Sequence, residues 1–342
     1  MPVVQRDAFL VFRSLCKLSM KPLPDPFPAE DSIELRSKLL SLQLLFSIIQ
    51  TSGPHFRSGE KFIWAIRQYL CLSLLKNGVS PIAAILQLSL DIFVTLIRFF
   101  KSHLKSEIGV FFSNILQRIL DSSNASTSQK LLTVQCLRTL VKEPQLIVDL
   151  FLNYDCDLEA TNIFANMCDG LSRLVISLNT HLADPAEHDA AVKALSLDAN
   201  SPSPLKALAL ETLVAVTDSM VAWERESKSS TARDSTTRAS ILPEGADAES
   251  TVGAPDDAAS SVAPSGAPET SALVVSSDAP VVDFEAAFHR KAELQEGVIK
   301  FNMKPKKGIR YLVEVCGLEH EPSAIATFLL ETSGLDKRSV GE

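Results

Sequence analysis

Asn153, Asp155 and Asp157 place three oxygen-bearing side chains on alternate residues, with Tyr154 and the thiol of Cys156 between them. Such a cluster could hold a cation or present acceptors to a partner. The spacing does not suit an EF-hand loop, which spreads its ligands over about twelve residues with a mid-loop glycine and a distal glutamate. No histidine lies within reach in the sequence. The plainer reading is a polar turn in which Asp157 caps the following helix and Asn153 and Asp155 satisfy backbone groups of the turn. A second group, Lys304-Pro305-Lys306-Lys307, reads as a solvated helix start, with contact to acidic lipid or phosphate as the alternative. There is no GxSxG elbow and no glycine-rich phosphate loop, and most of the six histidines fall in loops or on polar faces. No catalytic residue, metal site or cofactor site is assigned.

The elements that must position these residues are helical. Apolar residues make up 46% of the 342, yet aromatics only 6%, and the long apolar runs are rich in Leu and Ile, which favours helices over sheets. The first helix covers Asp7 to Met20. The prolines of KPLPDPFP (21–28) break it, and Asp31-Ser32-Ile33-Glu34 forms a capping box in which Asp31 accepts an orphan N–H. That box starts a helix to Thr51. Another runs from Gly59 to Lys76, ended by a left-handed Asn77-Gly78 pair. Ser80 then caps a helix with Pro81 in its first turn, and further helices follow at 102–121, 127–142, 144–152, Leu158 to Leu178 and Pro204 to Trp223. Short breaks and apolar surfaces on several sides predict stacked neighbours: an all-α, armadillo- or HEAT-like array over residues 1–223.

Residues 224–281 lose this pattern. They are rich in Ser, Thr, Ala and Pro, and four cations among 224–282 face ten carboxylates, so a disordered acidic linker is expected. RDSTTRAS (233–240) reads as solvated linker or as a phosphorylation patch. Helical pattern returns at Asp283, through Phe284, Phe288 and Leu294, followed by short helices at about 305–315 and 322–331. The net charge of −8 argues against a general nucleic-acid binder. Six scattered cysteines without a CxxC point to reduced, buried thiols in a cytosolic protein, and no secretory signal precedes the first helix. Pro81 to Phe100 is long enough to span a bilayer, but Asp91 at its middle makes it a buried core helix.

Several stretches resemble the large Arf guanine-nucleotide exchange factors of the BIG group. DAFLVFRSLCKLSMKPLPD (7–25), LRSKLLSLQLLFSIIQTSGPHFR (35–57) and FIWAIRQYLCLSLLKNGVS (62–80) resemble the opening of their HUS region. NYDCDLEATNIF (153–164) resembles the HUS box, SPLKALALETLVAVTDSMVAWE (203–224) the helix after it, and 300–342 the start of the Sec-seven exchange domain. The resemblance implies a HUS-like array at 1–223, a linker at 224–281 and the N-terminal part of an exchange domain at 282–342. It also implies that Asn153, Tyr154, Asp155, Cys156 and Asp157 are the HUS box, a partner-binding site. The expected partners are an Arf-family GTPase acting through the complete exchange domain, a DCB domain in cis or in trans, and the peripheral Golgi membrane. The family's glutamate-finger loop, an FRLPGEAQKIDR-like motif, does not occur in these residues, so no catalytic residue is carried over. A stand-alone helical-repeat adaptor in vesicle trafficking is the alternative.

Overall fold

The computed structural model describes residues 2–24, 28–29, 32–177, 204–239, 283–332 and 334–341. Within them every regular element is a helix. The order is α1 (Val3–Ser19), α2 (Ile33–Thr51), a single turn α3 (Pro54–Arg57), α4 (Glu60–Ala65), α5 (Cys71–Asn77), α6 (Ala83–Phe100), α7 (Lys105–Phe111), α8 (Arg118–Asp121), α9 (Thr127–Val141), α10 (Pro144–Leu150), α11 (Ile163–Ser177) and α12 (Pro204–Ala239). After residues outside the described set come α13 (Phe284–Met303), α14 (Pro305–Glu314), α15 (Pro322–Glu331) and α16 (Lys337–Val340).

The all-α array expected from the sequence is present. Helices α2, α6 and α9 pack side by side as one row. Helix α12 joins α9 through the Arg138–Glu211 ion pair and a bond from Ser219 Oγ to Val141 O. A second row, built from α1, α4–α5, α7–α8 and α10–α11, lies against the first. One apolar cluster runs from Phe12 through Leu90, Phe111 and Leu171 to Val216. The bilayer-length helix α6 sits inside this core, with Ile85, Leu86, Leu90 and Ile97 buried and Asp91 bonded by Gln87 at 2.9 Å. All six cysteines are free thiols.

Among the described residues, three helices contain a π turn that helical periodicity did not predict: Ile66–Leu70 between α4 and α5, Phe112–Gln117 between α7 and α8, and Phe151–Asp155 after α10. Their buried residues explain it. Ile66, Leu70 and Leu74 repeat every four residues, as do Phe111, Ile115 and Ile119, and Leu146, Leu150 and Tyr154. In an α-helix of about 3.6 residues per turn such a stripe drifts about 40° per step. A wider i→i+5 turn brings it back onto one face.

Several helix ends differ from expectation. Ser32, whose hydroxyl accepts from Leu35 N at 3.4 Å, is the cap of α2, and Asp31 lies outside the described residues. Gly78 ends α5 with φ −66, a right-handed conformation. Ser80 accepts from Ile82 N and forms a turn before α6, which starts at Ala83. Helix α12 passes Trp223 and continues to Ala239, because residues 224–239 contain neither proline nor glycine to stop it. The expected linker beyond that, 240–281, lies outside the described residues.

Residues 284–341 belong to the same compact unit as the array. Helices α13 and α14 form a hairpin with a small core of Phe301 and Leu312. Gly308 permits their crossing: a Cβ there would lie 2.2 Å from Phe301 Cα.

Candidate functional site

The five-residue turn is built by the end of α10. Pro144 starts that helix, and the π turn closes it with Cys156 N donating to Phe151 O at 3.0 Å. Asn153 locks the outer edge by donating from Nδ2 to Asp149 O at 2.8 Å. The Tyr154 ring is buried, next to Gly109, and its hydroxyl donates to Lys105 O at 2.8 Å.

Asp155 is completely buried. Its two oxygens accept from Phe164 N and Ala165 N, each at 2.9 Å, so it caps α11 from nine and ten residues upstream. The orphan N–H groups of a helix start are satisfied here by a carboxylate on the preceding element. Asp157, expected to be the cap, instead accepts from Glu159 N at 3.0 Å and from Lys105 Nζ at 2.6 Å. The helix therefore begins at Ile163 rather than Leu158.

The two carboxylates differ in charge environment. Burial pushes Asp155 above the ordinary 3.8, against the pull of its two N–H donors and of Lys291. Burial acts on Asp157 in the same sense but is outweighed: the Lys105 bond, the Glu159 N–H and nearby Lys291 hold it below 3.8. Burial also raises the Cys156 thiol, which leaves it a poor nucleophile.

The sequence reading missed the group that completes the site. Lys291, on α13, is 3% exposed. Its ammonium donates to Tyr154 O and Ala160 O, both at 2.6 Å. The chain leaves helical geometry after Asp155, so the Tyr154 carbonyl has no helical N–H ahead of it, and a buried cation takes that place. Neighbours on α13 join in. Phe288 packs on Phe151 with ring centroids 5.3 Å apart, and Gln295 exchanges bonds with Asn162, the shorter at 3.1 Å. Phe288, Lys291 and Gln295 stand at three- and four-residue steps, hence on one face. That spacing was visible in the sequence, but a helical lysine reads as solvated unless its partners are known.

Of the five predicted residues, Tyr154, Asp155 and Cys156 are buried and Asn153 and Asp157 half-buried. The structure brings them together as a scaffold for two contacts, one to α11 and one to α13. Comparison with known proteins then assigns both sides of that contact. Residues 4–163 match the family model described as Mon2/Sec7/BIG1-like, HUS domain, and residues 290–342 match the Sec7 domain. The chain belongs to the BIG group of Arf guanine-nucleotide exchange factors. Brefeldin A-inhibited guanine nucleotide-exchange protein 1 of Mus musculus is 40% identical over 350 residues, covering 99% of this chain and 18% of that protein. The Homo sapiens protein of the same name is 40% identical with the same coverage, and Brefeldin A-inhibited guanine nucleotide-exchange protein 2 of Arabidopsis thaliana is 37% identical over 343 residues. The chain thus spans about a fifth of the length of these relatives. In BIG-family terms, the α10–α11 turn at the end of the HUS match is clasped by the helix that opens the Sec7 match, with Lys291 and Gln295 inside it.

Proposed function

We propose that this chain is a regulatory stretch of an Arf guanine-nucleotide exchange factor working in Golgi and vesicle trafficking. Its division is a HUS-like array at 1–223, a linker at 224–281 whose opening residues continue α12 to Ala239, and the N-terminal part of an exchange domain at 282–342. The Asn153–Asp157 turn is the interdomain contact: it holds the leading helix of the exchange domain in cis. A DCB domain, in cis or in trans, and the peripheral Golgi membrane are its further partners, and an Arf-family GTPase is the substrate of the complete exchange domain. These 342 residues alone do not catalyse exchange, since they contain no glutamate-finger motif.

The observation that carries this reading is the buried Lys291 ammonium on the Tyr154 and Ala160 carbonyls. A cation withdrawn from water is maintained only where its donors are matched, so the contact specifies one docking geometry for α13. The test is nucleotide exchange on an Arf GTPase by the full-length exchange factor, with and without Lys291→Met. A changed exchange rate with an unchanged melting temperature of the array supports the regulatory contact. An unchanged rate, in a variant whose α13 amide hydrogens exchange faster, refutes it.

A further inference from the structure

Between Glu296 and Glu314 the chain carries Lys300, Lys304, Lys306, Lys307 and Arg310 and not one carboxylate, in a protein of net charge −8. Lys300 is committed within the hairpin: it pairs with Glu296 at 2.7 Å and lies over the Tyr311 ring at 3.5 Å. Lys304, Lys306, Lys307 and Arg310 are exposed and have no carboxylate partner among the described residues. They gather at the elbow where α13 ends and α14 begins. Met303, the last residue of α13, is 77% exposed at that point. Asn302 ties the start of α16 to the same end of α13, accepting from Asp336 N at 2.8 Å and donating to Gly334 O at 2.9 Å. That adds the exposed Lys337 and Arg338. The carboxylate beside them, Asp336, is engaged in capping α16 by accepting from Arg338 N at 3.1 Å.

We propose that this elbow is a bilayer contact, in which the cations rest on anionic phospholipid headgroups and Met303 enters between them. Charge complementarity favours that occupant. Flexible lysines act as point charges and need no fixed acceptor geometry, and basic residues beside an anionic leaflet are each attracted to it. An exposed apolar side chain at the centre of a basic rim gains by partial burial among headgroups. A single-stranded nucleic acid would instead call for exposed aromatic rings, whereas Phe301 is buried and Tyr311 is held by Lys300 and Glu296. The inference deepens the membrane part of the proposed function, but it rests on charge and exposure and not on the Asn153–Asp157 turn.

The experiment is flotation of the 342-residue chain with phosphatidylcholine vesicles, with and without phosphatidylserine. The unaltered chain is expected to float with the anionic vesicles alone. Neutralising Lys304, Lys306 and Lys307 to Gln should weaken binding on the order of a hundredfold, about fivefold for each cation. Met303→Ser should weaken it less and leave the salt dependence unchanged. Circular dichroism and the exchange protection of α13 should match the unaltered chain in every variant, because all four residues are exposed. The proposal is overturned if the chain ignores anionic vesicles, if it binds neutral ones equally, or if the neutralised variant floats as well as the original. Binding of a polyglutamate peptide or an RNA without binding of vesicles also overturns it, in favour of those partners. Any of these failures leaves the Lys291 contact standing, so the two readings fail separately.

Discussion

Two lysines in this molecule do the same thing in different places. Lys38 on α2 is 8% exposed and donates to Ser19 O at 2.6 Å and Lys21 O at 2.9 Å, closing the end of α1. Lys291 on α13 closes the π turn after α10 in the same way. Burial lowers the pKa of both ammonium groups, and the causes diverge from there. Lys38 is further lowered by Lys76, whereas Asp155 and Asp157 oppose the fall at Lys291. Lys38 also sits in a neutral network: Ser19 Oγ lies 2.6 Å from Ser73 Oγ, and Asn77 donates to Ser19 O at 3.1 Å. Its carbonyls are 17 and 19 residues away, while those of Lys291 are 131 and 137 away. A clasp between sequence neighbours is part of the array's own folding. A clasp between distant segments costs more loop-closure entropy, and its opening frees one segment and leaves the rest folded.

The largest effect should come from the local clasp. Lys38→Met withdraws the ammonium from two carbonyls at the α1–α2 junction; Ser19 O keeps Asn77 but Lys21 O loses its donor, and an acceptor left unpaired costs about 1–3 kcal/mol. Urea denaturation should show a loss of about 3 kcal/mol in the transition of the whole array. Asp155→Ala should follow at about 2 kcal/mol, because it leaves two N–H groups at the start of α11 without acceptors. Hydrogen exchange should locate that loss in α11 first. Should Asp155→Ala leave α11 protected while loosening α13, the carboxylate would belong to the interdomain contact more than to the cap.

Lys291→Met should cost less, about 1–2 kcal/mol, and only locally. Amide exchange in α13 is expected to accelerate about tenfold, an opening made easier by about 1.4 kcal/mol, with the protection of α2, α6 and α9 unchanged. Uniform acceleration across the array would mean that the two clasps are equivalent and the comparison fails.

Much of this could be read from the residues, and the unread part has a common cause. Leu35, Leu42, Leu45 and Ile49 mark the buried stripe of α2, and Lys38 stands where that stripe calls for an apolar residue. Lys291 has no such stripe around it, since Phe288 is half-buried and Gln295 exposed. A charge on a core stripe was therefore a signal at Lys38 alone, and at both clasps the acceptors are backbone carbonyls, which carry no residue identity. The same limit exchanged the roles of Asp155 and Asp157. Both are aspartates in one turn, and only the path of the chain from Cys156 to Ile163 decides which one points at α11. Helix types and most of their order followed from spacing, because burial periodicity is a local property. The π turns needed a closer reading of that periodicity, in the four-residue repeat of Leu146, Leu150 and Tyr154.

The smallest effect is a titration that reads the clasp from inside. Asp155 has its pKa raised above 3.8 and Asp157 has it lowered below 3.8, so carboxyl chemical shifts should show Asp155 taking its proton first as pH falls. The stability signs are opposite. Asp157 contributes stability that is present above the unfolded value of 3.8 and is lost as pH falls through its lower folded value. Asp155 binds its proton more tightly folded than unfolded, so between 3.8 and its raised value stability increases as pH falls. Lys291 attracts both carboxylates toward their ionised form. Lys291→Met should therefore move both titrations to higher pH, and Lys38→Met, which faces no carboxylate in its network, should move neither. If both variants shift the aspartates alike, the coupling runs through loosening of the fold rather than through the charge on Lys291, and the clasp loses its electrostatic half.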